Sequence, residues 1–416
     1  MKKKRLYVFN GTSRAANYGI GTYIDQLIPV LKDSEWELCI VYLYAQGTEA
    51  EMIEKKGYKQ INIPYPATQT KNAPRYYSRN IAYLLKEFIP EDKGADIIFH
   101  LNFMSNEYFV KCLKKHFRCK IILISHYTNW SFSLFGDYIR LKKILKKTKN
   151  ELNKDVFEKT IAKNFEEDIR MINQVDRLVC VAEHTWKEFK IAKNFPSGKT
   201  EIINNALKDI YIPLPEKKKT DLRKKYCIPE NTKLILFAGR LDEVKGVAFL
   251  IRTFKKIITD FPDSRLIVIG EGSFETWLKE SADCWSKITF TGRLDKKKLY
   301  EFYRIADMGV VCSLHEEFGF VAIEMMMHAL PVIVTRTGGL DEIVEENVSG
   351  LKVPVRTIKG KRQVDVKCLS EKMKLLLNNP VYAGELGKHG RKRFLDKYEI
   401  SVFKEKMLIL YNNILI

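Results

Sequence analysis

The chain has 416 residues, 45% hydrophobic and 29% charged, with a formal net charge of +20 at pH 7. That length predicts two domains of roughly 200 residues each, and no run approaches the ~18 uninterrupted apolar residues of a membrane-spanning helix. Eight cysteines scattered without any CxxC spacing suggest neither a zinc site nor a disulfide framework, so a reducing cytoplasm is the expected compartment. The positive charge favours nucleotides, anionic lipid surfaces or nucleic acid as partners without choosing among them.

The start, MKKKRLYVFNGTSR, holds too few apolar residues for a signal peptide, and LYVFN at 6–10 reads instead as a buried strand. Gly11, Gly19 and Gly21 follow, then a helical pattern from about Thr22. This predicts a glycine-bearing loop and a helix N-terminus able to face an anion. The spacing NYGIGTY is not GxGxxG, and a simple tight turn is the alternative. Short β-branched runs come next at 37–44, 60–65, 96–103 and 120–127, separated by helical stretches. Such alternation predicts a parallel sheet with helices on both faces. Two of these strands end in His100 and His126, and ligands gather at the carboxyl ends of strands in open parallel sheets. His126 is the stronger candidate, because Ser125 precedes it and Tyr127, Trp130, Phe132 and Phe135 follow like the lip of a pocket. Aromatics there would stack on a sugar, dip into lipid or simply pack, and either histidine would otherwise bond loop backbone.

RLKKILKKTKNELNK at 140–154 sets Lys142, Lys143, Lys146 and Lys147 at helical spacing. That is a solvated helix face or a surface for anionic headgroups; nucleic acid is disfavoured, since no nucleic-acid motif accompanies the charge. A strand and helix at 176–190 and a strand at 199–207 precede DIYIPLPEKKKT at 209–220, where the proline and lysine content predicts the linker.

The second half opens with a strand at 234–238, the loop GRLDEVKG and a helix. Arg240 and Lys245 then join a helix N-terminus, a fitting cradle for a diphosphate, or else they are ordinary loop charges. Strands are predicted at 265–272, 287–294, 308–314 and 330–339. Within HEEFGFVAIEMMMHALPVIVT at 315–335, residues 319–328 form a helix apolar nearly all round, the pattern of a buried helix. Glu324 sits inside it, and an unpaired buried carboxylate is costly, so a protein partner or a ligand is required. Glu316 stands just before the helix; as an alternative, Glu316 or Glu317 is a charge favoured by the helix dipole. Gly338 and Gly339 open another helix, with Asp341 and Glu342 in its first turn, and the chain ends in a helix, a break near Tyr398 and a final amphipathic helix.

The ordered pieces FAGRLDEVKG, VIGEG, FTGRL, EEFGFVAIE and ALPVIVTRTGGLDEIVEENVSGLKV make the chain resemble the retaining glycosyltransferases of family 4, with Glu316 and Glu324 as the E-x7-E motif. The resemblance covers nearly the whole chain and is strongest from 238 to 353. It implies an α/β GT-B fold: two facing Rossmann-like domains with parallel sheets and an interdomain cleft. The acceptor-binding domain would be 1–208, with a C-terminal helix at 396–416 packing back on it, and the nucleotide-sugar domain 209–395. The implied activity moves a sugar from a nucleoside-diphosphate sugar to a glycan, glycolipid or glycoconjugate acceptor. No cofactor or metal is implied, and the place of work is the cytoplasm, at the inner membrane face or free of it. Arg240 and Lys245 would hold the diphosphate, Glu316 would orient the donor sugar, and Glu324 would bond the ribose. Phe318, Gly319 and Phe320 would present backbone N–H groups. Gly239, Gly270, Gly292 and Arg293 stand in the matching turns, Gly19 and Gly21 would close over the phosphates, and His126 would approach the transferred sugar or the acceptor. Three positions depart from the family pattern: the first loop lacks the double glycine, Glu317 stands where glycine is usual, and Tyr127 stands where aspartate is common. An epimerase or phosphorylase on a similar scaffold, and a non-catalytic basic nucleotide- or nucleic-acid-binding module, are the competing classes.

Overall fold

The computed structural model describes residues 3–11, 19–32, 34–65, 73–90, 94–102 and 107–416. The chain divides into two compact units, one of Met1–Leu134, Tyr138–Ala206 and Ile400–Ile416, the other of Phe135–Asp137 and Leu207–Glu399.

The first unit is built on β1 (Lys4–Asn10), β2 (Trp36–Ala45), β3 (Glu51–Lys55), β4 (Tyr58–Pro64), β5 (Asp96–Leu101), β6 (Cys119–Ser125), β7 (Arg177–Cys180) and β8 (Thr200–Ile202). Their spatial order is β3-β4-β2-β1-β5-β6-β7-β8. All neighbours pair in parallel except β3 and β4. Central strands bury both faces, which is why they read as unbroken apolar runs: Leu6, Val8 and Phe9 are fully buried, as are Ile121 to Leu123. β3 escapes sequence detection because EMIEK lies at an edge with four of its five residues exposed, so no alternation marks it.

The second unit holds β9 (Lys233–Ala238), β10 (Ser264–Ile269), β11 (Ile288–Gly292), β12 (Met308–Val311), β13 (Val332–Thr335) and β14 (Leu351–Val353), in the order β11-β10-β9-β12-β13-β14. Every pairing is parallel. A separate antiparallel hairpin joins β15 (Val355–Ile358) to β16 (Lys361–Val364). This order is that of a doubly wound sheet, whose direction of progression reverses between β9 and β12; ligands bind beyond the carboxyl ends of the strands at such a switch point.

Four expectations need correction. Gly19 and Gly21 lie in the first turn of the helix Gly19–Lys32 rather than in a loop before it; Tyr23, Ile24 and Leu27 bury one face of that helix and fix its start earlier than the glycines suggest. The lysines of the expected linker belong to the helix Glu216–Lys225. The basic stretch is two helices, Tyr138–Lys146 and Lys149–Lys154, because Thr148 starts the second with a capping box to Glu151. Trp130 is core and not lip: it is 1% exposed and packs edge-on against Phe165 and Phe189.

Candidate active site

The loops leaving β9 and β12 bring charged side chains of the second unit together. After β9, Gly239 and Leu241 donate to Ile269 and Glu271 carbonyls, and after β10, Gly270 donates to Gly292, so three glycine-bearing strand ends lie side by side. Trp277 locks this edge by donating its indole N–H to the Leu241 carbonyl at 3.0 Å. Arg240 leaves the ladder and pairs with Asp242 at 3.1 Å. Asp242 also accepts from the Lys245 backbone N–H and caps the short turn Glu243–Lys245. Gly246 ends that turn at φ 71°, and a Cβ there would lie 2.0 Å from the Cys312 carbonyl oxygen, so only glycine lets the β9 loop approach β12 this closely. Arg293, beyond β11, is exposed and lies 3.9 Å from Glu271.

From the β12 side comes Glu316. Its carboxylate meets Lys245 Nζ at 2.5 Å and accepts from the Ser313 hydroxyl at 3.2 Å. The pair stays partly open, with side chains 17% and 19% exposed. Thr335 and Thr337 donate to the Ser313 and Leu314 carbonyls and hold the loop. Gly339 donates to the Glu316 carbonyl, and a Cβ on it would strike Phe318 backbone at 2.3 Å. Glu317, the residue standing in place of glycine, turns inward: it is 6% exposed and pairs with His315 at 3.2 Å.

Gly319 begins the motif helix, Phe320–Met327, and no side chain caps its N-terminus. The helix Val247–Asp260, beginning at Gly246, likewise has no side-chain cap. Free N–H groups at a helix start attract anions, and here two such starts flank Lys245 and Glu316 in sequence. The Phe318 side chain is buried edge-on to Phe320 and Tyr398, so it anchors the turn. Glu324 finds protein partners: the Tyr303 hydroxyl donates to it at 3.1 Å and that of Tyr300 at 3.5 Å. Burial raises its carboxyl above the usual range, against the opposing pull of Lys296 and the two phenols. The partner that Glu324 was expected to need is thus supplied by the helix Lys296–Ile305, and burial of this carboxylate does not by itself require a ribose.

In the first unit, His126 follows directly on β6. Asn102, just beyond β5, donates its amide to the Phe9 carbonyl, which turns its Oδ1 toward both His100 Nε2 and His126 Nε2, each at 3.0 Å. Both rings therefore carry the proton on Nε2 in their neutral forms. His100 is fully buried, its pKa pushed down to about 4 by burial, and its Nδ1 lies 2.8 Å from the Tyr411 hydroxyl. Tyr23 packs edge-on against His126 and against Phe403. The last helix, Ile400–Asn413, thus supports this cluster through Phe403 and Tyr411. Sequence reading missed Asn102, Tyr23 and Tyr411; only an amide two residues past His100, at a strand's carboxyl end, hinted at the first.

Among the described residues no group of three or more His, Cys, Asp or Glu side chains is placed to hold a metal, and no helix is long and apolar enough to cross a membrane.

The architecture matches sucrose-phosphate synthase of Thermosynechococcus elongatus over 99% of both chains (TM-score 0.77, 20% identity). Anabaena HepE in complex with UDP matches over 99% of this chain and 100% of its own (TM-score 0.71, 14% identity). The fold class is therefore that of the GT-B glycosyltransferases. Residues 218–393 match the family described as Glycosyl transferases group 1. An uncharacterized glycosyltransferase of Methanocaldococcus jannaschii is 31% identical over 42% of this chain and 46% of its own length. The D-inositol 3-phosphate glycosyltransferase of Corynebacterium jeikeium is 33% identical over 35% of this chain and 37% of its own. The chain spans less than half the length of these two curated relatives.

Proposed function

We propose that the protein is a retaining glycosyltransferase of family 4 that moves a sugar from a nucleoside-diphosphate sugar to an acceptor hydroxyl in cell-surface polysaccharide or glycoconjugate synthesis. The observation that carries this reading is the switch point of the second sheet, where Lys245 from one loop is held against Glu316 from the other and both loops end in uncapped helix N-termini. HepE, of the same fold, has been solved with UDP and with UDP-glucose.

In this reading the diphosphate takes over Lys245 from Glu316 and adds Arg240, the two helix starts and the N–H groups of Gly319 and Phe320. These groups stabilise the negative charge that grows on the leaving phosphate as its bond to the anomeric carbon breaks, so catalysis is assigned no metal. Glu316, released from the lysine, bonds the donor-sugar hydroxyls. The acceptor oxygen bonds to the anomeric carbon on the face the phosphate leaves, and its proton passes to a phosphate oxygen, which retains configuration. His126 serves the transferred sugar or the acceptor, and its first unit is the acceptor domain. Gly19, Gly21, Gly239, Gly270, Gly292 and Arg293 remain donor-side candidates, and Glu324 the ribose contact suggested by the motif. Ile139 and Val156 are 68% and 77% exposed beside the lysines of the two short basic helices, which supports docking on an anionic cytoplasmic membrane face and a glycolipid acceptor.

The test is nucleotide release across a panel of nucleoside-diphosphate sugars by wild type, Lys245→Ala and Glu316→Ala. One donor should be turned over by wild type alone; equal turnover by both variants would sink the site assignment.

A further inference from the structure

At the opposite edge of the second sheet from Lys245, where strands begin, lies a cavity of about 360 Å³. That is within the roughly 300–1,000 Å³ of ordinary small-molecule sites. Lys233 opens β9, and Asp307 and Pro331 stand just before β12 and β13, so the wall is fixed by the sheet itself.

Its charge is unbalanced. Lys219, Lys233 and Arg304 line it against Glu216 and Asp307. Asp307 is already committed: one of its oxygens accepts from Arg223 and from the Leu234 backbone N–H. Among the described residues neither lysine has a carboxylate partner, and the Arg304 Nε is buried with no hydrogen bond. Unspent cations in a concave wall favour an anion.

The remaining lining is suited to hydroxyl groups and a ring. His328 is 3% exposed and lines the cavity beside Tyr211 and Tyr303, at centroid distances of 5.6 and 5.5 Å, with Tyr300 behind it at 4.7 Å. Its Nδ1 lies 2.8 Å from the Glu324 carbonyl and so must donate to it, while Nε2 has no partner. Burial depresses its pKa to about 4, which keeps the ring neutral and makes Nε2 an acceptor. Leu330, Pro331 and Leu376 supply apolar wall.

We propose that this cavity is a second ligand site, separate from the donor site, for a small hydroxylated phosphomonoester of the sugar-phosphate class. Lys219, Lys233 and Arg304 receive the phosphate, and the tyrosine and histidine wall receives the hydroxylated body. Such a ligand touches the motif helix through His328, whose ring is bonded to Glu324. The proposal does not depend on the donor assignment.

Calorimetric titration tests it on the full chain, with glucose 6-phosphate, glucose and inorganic phosphate as separate probes. Wild type should bind one equivalent of glucose 6-phosphate at least tenfold more tightly than either fragment. Lys219 and Lys233 are half-buried with no ion pair among the described residues, so Lys219→Gln with Lys233→Gln should keep the wild-type unfolding midpoint while weakening that binding at least tenfold, and Arg304→Met should weaken it as far. Lys245→Ala should leave it unchanged. Absence of binding in wild type, equal binding of inorganic phosphate, or retention of affinity in the double lysine variant would overturn the site. Loss of binding in Lys245→Ala would place the probe at the donor edge and also overturn it.

Discussion

Glu316 and Glu324 are the same residue type eight positions apart, and the protein treats them in opposite ways. Glu316 lies on a loop at the carboxyl edge of the sheet, half-open and held by the ammonium of Lys245. Glu324 lies inside a buried helix, 6% exposed, and takes phenolic hydrogen bonds. An ion pair with exposed atoms can exchange partners with an arriving diphosphate at small cost, whereas a desolvated carboxylate loses its hydrogen bonds only at a cost to the fold. The difference separates a partly open ion pair, which the proposed function assigns to the donor, from a group that also holds two helices together.

The sharpest way to break this comparison is at the open end. Lys245→Ala is expected to lower kcat/KM for the donor by about 10²–10³-fold, the ordinary loss for one preorganised charge-stabilising group. Glu316→Ala should fall as far, and the losses in the double variant should roughly add, because in the donor complex the lysine holds the diphosphate and Glu316 the sugar; a double variant no worse than either single one in nucleotide-release assays would show that the two still act as one pair. At the closed end, Tyr303→Phe removes the 3.1 Å bond to Glu324. It should cost about 1–3 kcal/mol in urea unfolding, the range for leaving a buried acceptor without its donor, with turnover reduced much less than by Lys245→Ala. The reverse pattern would make Glu324 the ligand group and dissolve the contrast.

Titration sharpens it further. The Glu324 carboxyl is raised by burial from its ordinary value of 4.5. A group with a raised folded-state pKa contributes its stability in full below the unfolded value and loses it as pH rises through the folded one. Stability should therefore decline from about pH 4.5 upward. Glu324→Gln should flatten that decline and be the more stable protein at pH 8, as read by denaturant midpoints at pH 5 and 8. The smallest effect lies where the motif helix ends. Ala329 adopts φ 54° while its N–H and that of Leu330 close the last turn onto Met326 and Met325. A left-handed alanine costs roughly 1–2 kcal/mol, so Ala329→Gly should raise the melting temperature by a gain of about 1 kcal/mol.

The sequence determined a good deal unaided. Strands of the sheet interiors announce themselves as apolar β-branched runs because both faces are buried, and the turns bearing Gly239, Gly270, Gly292 and Gly319 mark where strands give way to loops. Arg240, Lys245 and Glu316 stand out in the sequence as charges at a strand's carboxyl end next to a helix start, where an anion is favoured. What only the tertiary structure decided is which partner each group meets. Pairing of Glu316 with Lys245 joins residues 71 apart in sequence, across the β9–β12 switch point. Glu324 bonded to Tyr300 and Tyr303, and Asn102 joined to His126, link residues more than twenty positions apart and have no local signal. Sequence periodicity reports whether a face is buried, since that depends on the residue's own chemistry. The identity of the atom opposite depends on strand order and helix packing, which no single stretch of chain encodes.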